Sequence, residues 1–143
     1  MESIEEVVWK FAKGSVSIKE IEEAEKKLNV IFPDQLKRLY QTRNGGGPRP
    51  NHMETLFGRE VRLRYFLPIG ETYKDNLVEV NKKMKKLLPD NYLAVANDDF
   101  GNYFCMDLKM SGSFRLFFWD HESKELDMVK ITYTKRLKQI VQN

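Results

Sequence analysis

A chain of 143 residues is long enough for one compact domain and too short for two ordinary ones. With 41% hydrophobic and 31% charged residues, it has the balance of a globular protein, which excludes a disordered chain or a coiled coil. A net charge of +3 and a pI near 8.9 fall short of the basicity of a dedicated nucleic-acid domain.

One cysteine, Cys105, excludes an intramolecular disulfide. It lies in the run Tyr103-Phe104-Cys105-Met106, where a free thiol behaves as a small buried hydrophobe rather than a nucleophile. The first residues, Met1-Glu2-Ser3-Ile4-Glu5-Glu6, are acidic and lack the apolar stretch of a signal peptide. No apolar run approaches the ~18 residues of a membrane span. A cytoplasmic protein that meets its partner in solution is expected.

Ile4, Val7, Val8 and Phe11 recur at helical spacing and predict a first helix over 3–12, stopped by Gly14. The next helix has stronger local signals. Ser17 and Glu20 form a capping box, and Val16 and Ile21 stand where a hydrophobic staple would. Ile18, Ile21, Ala24, Glu25 and Leu28 mark one face; Glu22/Lys26 and Glu23/Lys27 are i,i+4 pairs on the other. A third helix opens at Pro33, points Leu36, Leu39 and Tyr40 inward, and ends at Asn44-Gly45-Gly46-Gly47-Pro48. These glycines close a helix rather than opening one after a strand, so they are not a phosphate loop.

Residues 49–60 read as a loop with a short strand from Met53 to Phe57, and Val61–Tyr65 alternates apolar and basic like a strand with one wet face. Leu67-Pro68-Ile69-Gly70 breaks it. A fourth helix follows from about Thr72 to Leu88, with Leu77, Val80, Met84 and Leu87 on one face and Lys82, Lys83, Lys85 and Lys86 on the other. The last third predicts an antiparallel meander: Tyr92–Ala96, Asn102–Leu108, Ser113–Asp120 and Leu126–Ile131, separated by polar turns. Apolar residues on both faces of the middle strands imply a sheet covered on both sides, by helices on one and by its own curl or another segment on the other. Thr132–Val141 reads as a short C-terminal helix. The fold class is therefore α+β, a single domain over 1–143 with a curved, mostly antiparallel sheet, N-terminal helices packed on it and a short C-terminal helix.

Catalytic and metal sites are not expected. His52 and His121 fall in loops and have no metal-ligand spacing with Cys105, and no nucleophile, zinc or phosphate-loop motif occurs. Asp98 and Asp99 precede a glycine as turn formers do. No cofactor is implied. Charge placement says more than the total. Residues 72–88 hold five lysines against two acids, residues 90–127 eight acids against three bases, and residues 128–143 four bases and no acid. The acidic meander reads as a surface that attracts a cationic protein partner, and Asp98, Asp99, Asp120 and Glu122 are its candidate contact residues. The basic helix lacks the interleaved aromatics that nucleic-acid contact would call for, so nucleic acid is not the expected partner.

Several stretches in order resemble the SUKH superfamily, which contains the fungal cell-wall synthesis regulator and many bacterial toxin-immunity proteins. They are Ile21 to Asp34, an acidic helix ending in a leucine and then a hydrophobe-proline-acid step; Leu36 to Tyr40 and on to Asn44-Gly45-Gly46-Gly47; Leu67-Pro68-Ile69-Gly70; Leu93 to Leu108, strand, glycine turn and strand ending in aspartate; and Trp119-Asp120-His121-Glu122. The resemblance implies structural roles for Glu25, Pro33, Gly45, Gly46, Gly101, Asp107 and Trp119. It also implies a non-enzymatic cytoplasmic immunity protein that binds and blocks a cognate polymorphic toxin, nucleases being one such class. The alternative it carries is an intracellular regulatory or scaffold module. Asp99-Phe100-Gly101-Asn102 departs from the family's Gly-Gly-Asp-type turn, and the net positive charge departs from the acidic character of many such inhibitors.

Overall fold

A computed structural model describes residues 8–110 and 114–130. In chain order the elements are β1 (Val8–Lys10), α1 (Ile18–Leu28), α2 (Asp34–Arg43), β2 (Gly47–Arg49), β3 (His52–Glu54), β4 (Glu60–Arg62), β5 (Tyr65–Phe66), α3 (Leu77–Met84), β6 (Tyr92–Asn97), β7 (Tyr103–Asp107), β8 (Phe117–Trp119) and β9 (Leu126–Met128). The architecture is the expected α+β one. The C-terminal helix expected over 132–141 lies outside the described residues, as does the start of the helix expected over 3–12.

The rest of that first helix is a strand. Val8–Lys10 pairs antiparallel with Gly47–Arg49, residues expected in a helix stop and a loop. The helical period over so short a window loses to a ladder between distant segments, which suits Val8 and Trp9 as β-formers. Phe11, at φ 65°, ends the strand. Val8 and Phe11, which set the helical spacing, are exposed.

α1 begins as its sequence dictates. The Ser17 hydroxyl accepts from Glu20 N, and the Glu20 carboxylate turns back to the Ser17 amide. Ile21 and Ala24 are buried, but Ile18 is exposed. Lys27 reaches Glu71 at 2.7 Å, tying α1 to the loop after β5. Glu25 Oε2 accepts from Phe32 N at 2.7 Å, which fixes the turn into α2. α2 starts after Pro33 and buries Leu36, Leu39 and Tyr40; the Tyr40 hydroxyl donates to Leu67 O at 2.7 Å. α3 is shorter than the predicted Thr72–Leu88. Asp75 takes a left-handed φ of 54°, and the buried Asn76 caps the helix by accepting from Glu79 N, so residues 72–76 form an approach loop. Leu87 falls beyond the helix and is exposed. α1 packs on α2 and α3, and α3 packs on β6.

The five-stranded sheet has order β5-β6-β7-β8-β9, all antiparallel. It curls until its edges are joined by the β3–β4 hairpin. Thr55 bridges to Val129 just past β9, Leu56 N donates to Met128 O, and Lys130 N donates to Glu54 O. β4 runs on into β5, with Arg64 N donating to Asn97 O. Cross-strand pairing then sorts the side chains into two rows. Phe66, Ala96, Phe104 and Phe118 form the buried row; Tyr65, Asn97, Tyr103, Trp119 and Leu126 form the outer one.

Asn44 joins three of these parts. Its side chain accepts from Ile69 N at 2.8 Å and donates to Ile69 O at 2.9 Å, while its backbone donates to Gly14 O and accepts from Lys13 N. Asn44→Ala leaves both buried Ile69 backbone groups without partners. A loss of about 2–4 kcal/mol is expected in urea unfolding. A loss below about 0.5 kcal/mol would show that Asn44 does not hold the junction.

Candidate interaction surface

The alternation of strand direction brings three turns to one end of the sheet: Leu56–Arg59, Asp98–Asn102 and Asp120–Lys124. Asp98 builds its turn from within. Its Oδ1 accepts from Phe100 N at 2.8 Å and Asn102 N at 2.9 Å, and its Oδ2 accepts from Asn102 Nδ2 at 2.8 Å. Gly101, at φ 86°, supplies the left-handed step. Asn102 then passes the link to the next turn, its Oδ1 accepting from His121 N at 2.9 Å and lying 2.6 Å from His121 Nδ1. That pairing places the ring proton on Nδ1.

Asp120 accepts from Glu122 N at 2.8 Å and pairs with Arg59, whose guanidinium lies over the Phe118 ring. The Arg59 guanidinium first, then the Glu122 amide, hold the Asp120 carboxyl below its usual 3.8. Asp99 is exposed, 3.4 Å from Arg64 Nε. Glu122 is exposed, 3.9 Å from His121 Nε2. The four acids expected to attract a cationic partner thus share one end. Asp98 and Asp120 are engaged in shaping turns, Asp99 is paired, and Glu122 faces solvent. Residues not singled out from the sequence stand beside them: Phe57 is 87% exposed and Phe100 77%. A turn signal says where a loop lies, not which apolar side chain it holds out in water.

The other motif residues stand as follows. Pro33 precedes α2, and Gly45 (φ 72°) follows its end. Gly46 lies against the Trp9 ring, where a Cβ would stand 2.9 Å from it. Asp107 Oδ1 accepts from Asn91 Nδ2 at 2.6 Å. Trp119 is buried beside Tyr103, with ring centres 6.1 Å apart.

A second feature lies along the outer row. The Arg64 guanidinium sits 5.4 Å from the Tyr65 ring centre, Phe11 meets Tyr65 edge-on at 5.9 Å, and the Arg49 guanidinium stands 5.8 Å from Phe11. Lys13 over Tyr73 and Arg43 over Trp9 continue the pattern. These residues come from five separate stretches, so no local run reveals them.

Among the described residues no group of His, Cys, Asp or Glu could hold a metal ion, and no helix is long and apolar enough to cross a membrane. A cleft of about 740 Å³ at the end of α1 is lined by Glu22, Glu25, Ile31, Asp90 and Leu108. Glu25, half-buried there, already accepts from Phe32 N. Cys105 is fully buried, and burial pushes its thiol well above the usual value, where it is no nucleophile.

Two measurements check these assignments. Ellman's reagent at pH 8 should leave Cys105 unmodified in the native protein and react at once in denaturant; prompt native reaction would contradict the burial. Because the folded Asp120 carboxyl titrates below its unfolded value, its contribution to stability is present above the unfolded pKa. It fades as pH falls through the folded one. An NMR titration should find Asp120 below 3.8, returning toward it in Arg59→Ala. No change in that variant would remove Arg59 as the cause.

No curated protein sequence matches the chain. A crystal structure of a protein from Pseudomonas syringae pv. tomato shares the fold, with a TM-score of 0.54 at 14% identity over 78% of this chain and 72% of the other. The profile of the SMI1 / KNR4 family (SUKH-1) matches residues 15–134. That span takes in both capped helices, the closed sheet and all three clustered turns, and the chain belongs to the SMI1 / KNR4 family (SUKH-1).

Proposed function

We propose that this protein is a non-enzymatic immunity protein, acting in the cytoplasm of the cell that makes it by binding a cognate protein toxin and covering its active site or substrate channel. Membership of a family whose members are generally immunity or regulatory proteins supports the class. One observation carries the binding reading: Phe57 and Phe100 are held out in solvent on turns fixed by Asp98, Asn102 and the Arg59–Asp120 pair. Exposed aromatics cost solubility unless something covers them, and a rigid loop that presents one loses little freedom on binding. A standard interface needs about 800 Å² from each partner. The turn end, with Asp99 and Glu122 at its rim, forms one part of that surface, and charges at a rim act mainly on association rate and selectivity.

The test is co-expression with the product of the adjacent gene, scored by growth and by co-purification. The wild-type chain should restore growth and co-purify. Phe57→Asp with Phe100→Asp should weaken binding by at least tenfold, with the unfolding midpoint unchanged. Persistent toxicity despite an excess of the wild-type chain would overturn the immunity reading. Full binding by the double variant would remove the turn end from the interface.

A further inference from the structure

The β1–β2 ribbon carries positive charge that has no ion pair among the described residues. Val8 stands opposite Arg49 and Lys10 opposite Gly47, so Val8, Lys10 and Arg49 share one face. The ribbon lies close on the β4–β5 connection because Gly47 has no side chain; a Cβ there would collide with the Arg64 carbonyl oxygen. That approach lets Arg49 Nη1 donate to the carbonyls of Pro48 at 3.0 Å, Arg64 at 3.2 Å and Leu63 at 3.4 Å. The guanidinium is held at one end and flanked by Phe11. Among the described residues its Nη2 and Nε make no hydrogen bond, and these two atoms form an edge that can grip a carboxylate with two parallel bonds. Among the described residues, no carboxylate lies within ion-pair reach of Lys10, Lys13, Arg43 or Arg49.

We infer that this arginine–aromatic face, centred on Arg49 and flanked by Lys10, Phe11 and Tyr65, docks a carboxylate-bearing segment of a protein partner. The inference rests on the reading of the chain as a protein-binding module and reverses the polarity expected from the acidic meander. The acids there are largely engaged with Arg59, Arg64 and their own turns, whereas the ribbon's cations face no acid among the described residues. Arginine and aromatic side chains are also the residue types that dominate binding energy at interfaces. A protein carboxylate fits better than nucleic acid. Base stacking needs open ring faces, and the rings here already carry Arg49 on Phe11, Arg64 on Tyr65 and Arg43 on Trp9. The lysines of α3, the rival basic patch, have no cation–π partner among the described residues.

The test titrates the full chain with a blocked twelve-residue Asp/Glu-rich peptide, a Gln/Asn peptide of the same length and a (dT)12 oligonucleotide, mapping each by NMR shifts. The acidic peptide should perturb Lys10, Phe11, Arg49 and Tyr65, bind at least tenfold tighter than the neutral peptide and the oligonucleotide, and weaken with salt. Arg49→Gln should reduce that binding at least fivefold. Because Arg49 also holds carbonyls, Lys10→Glu with Lys13→Glu serves as a second variant that leaves those bonds in place, and it should reduce binding similarly. Perturbation confined to α3, indifference to both variants, or tighter binding of (dT)12 would overturn the inference. The adjacent gene's product separates the two proposals. If the wild-type chain captures it and both variants do so equally, the inference fails and the immunity reading stands. If the wild-type chain does not capture it, the immunity reading fails, and the peptide titration alone decides the inference.

Discussion

The junction at Asn44 is the constraint on which the rest of the arrangement depends. Four backbone groups from two distant segments converge on one residue at the end of α2: the Ile69 amide and carbonyl on its side chain, Lys13 N and Gly14 O on its backbone. Ile69 is buried, so its amide and carbonyl must find partners inside the protein. A single amide side chain supplies both a donor and an acceptor at the spacing of a peptide unit. Asn81 repeats the device, accepting from Ala94 N and donating to Ala94 O where the pairing of β6 with β7 shifts register. One asparagine thus fixes the exits of β1 and β5 to the helical layer, and the other fixes α3 to the sheet. The position of the ribbon, and of the cations it carries, follows from the first.

The sheet circuit has a different logic. Its buried row is made by pairing, strand to strand, and needs no helix to align Phe66, Phe104 and Phe118. The same register that buries one row sets Tyr65, Tyr103 and Trp119 on the other. Burial first, then the Asp75 carboxylate, pushes the Tyr103 hydroxyl above its usual value. Turn chemistry then decides what the ends present. Asp98 and Asp120 each fold a carboxylate back onto amides of their own turn, and that folding holds the neighbouring aromatics in place.

What the sequence makes legible divides by range. The capping box at Ser17–Glu20, the Pro33 start, the Asn44-Gly45 stop and the four meander strands are local signals, and each stands within a few residues of its expected place. The missed features depend on contacts between distant segments. β1 is a strand because β2 is beside it, and the β-forming Val8 and Trp9 are too short a run to announce that over the helical spacing around them. The predicted helix from Thr72 was too long because the deciding cap, Asn76, lies inside an apparently continuous pattern. For the surface, sequence charge counts located the acids correctly but not their partners, since Arg59 and Arg64 belong to an earlier hairpin. The arginine–aromatic face draws on five stretches and has no linear signature at all.

The joining of Thr55 to Val129 also bears on how the protein behaves in a crowd of its own copies. A strand at the rim of an open sheet offers a row of unpaired amides and carbonyls to any passing chain, and this is a common route to aggregation. Here the hairpin occupies β9's outer side, and the continuation of β4 into β5 carries the circuit round to β6. Among the described residues, the end of β9 is thus covered by the hairpin rather than left open to a second molecule. A chain built this way can display apolar side chains at its turns for a partner while offering identical chains less of the backbone ladder that would turn such display into precipitation.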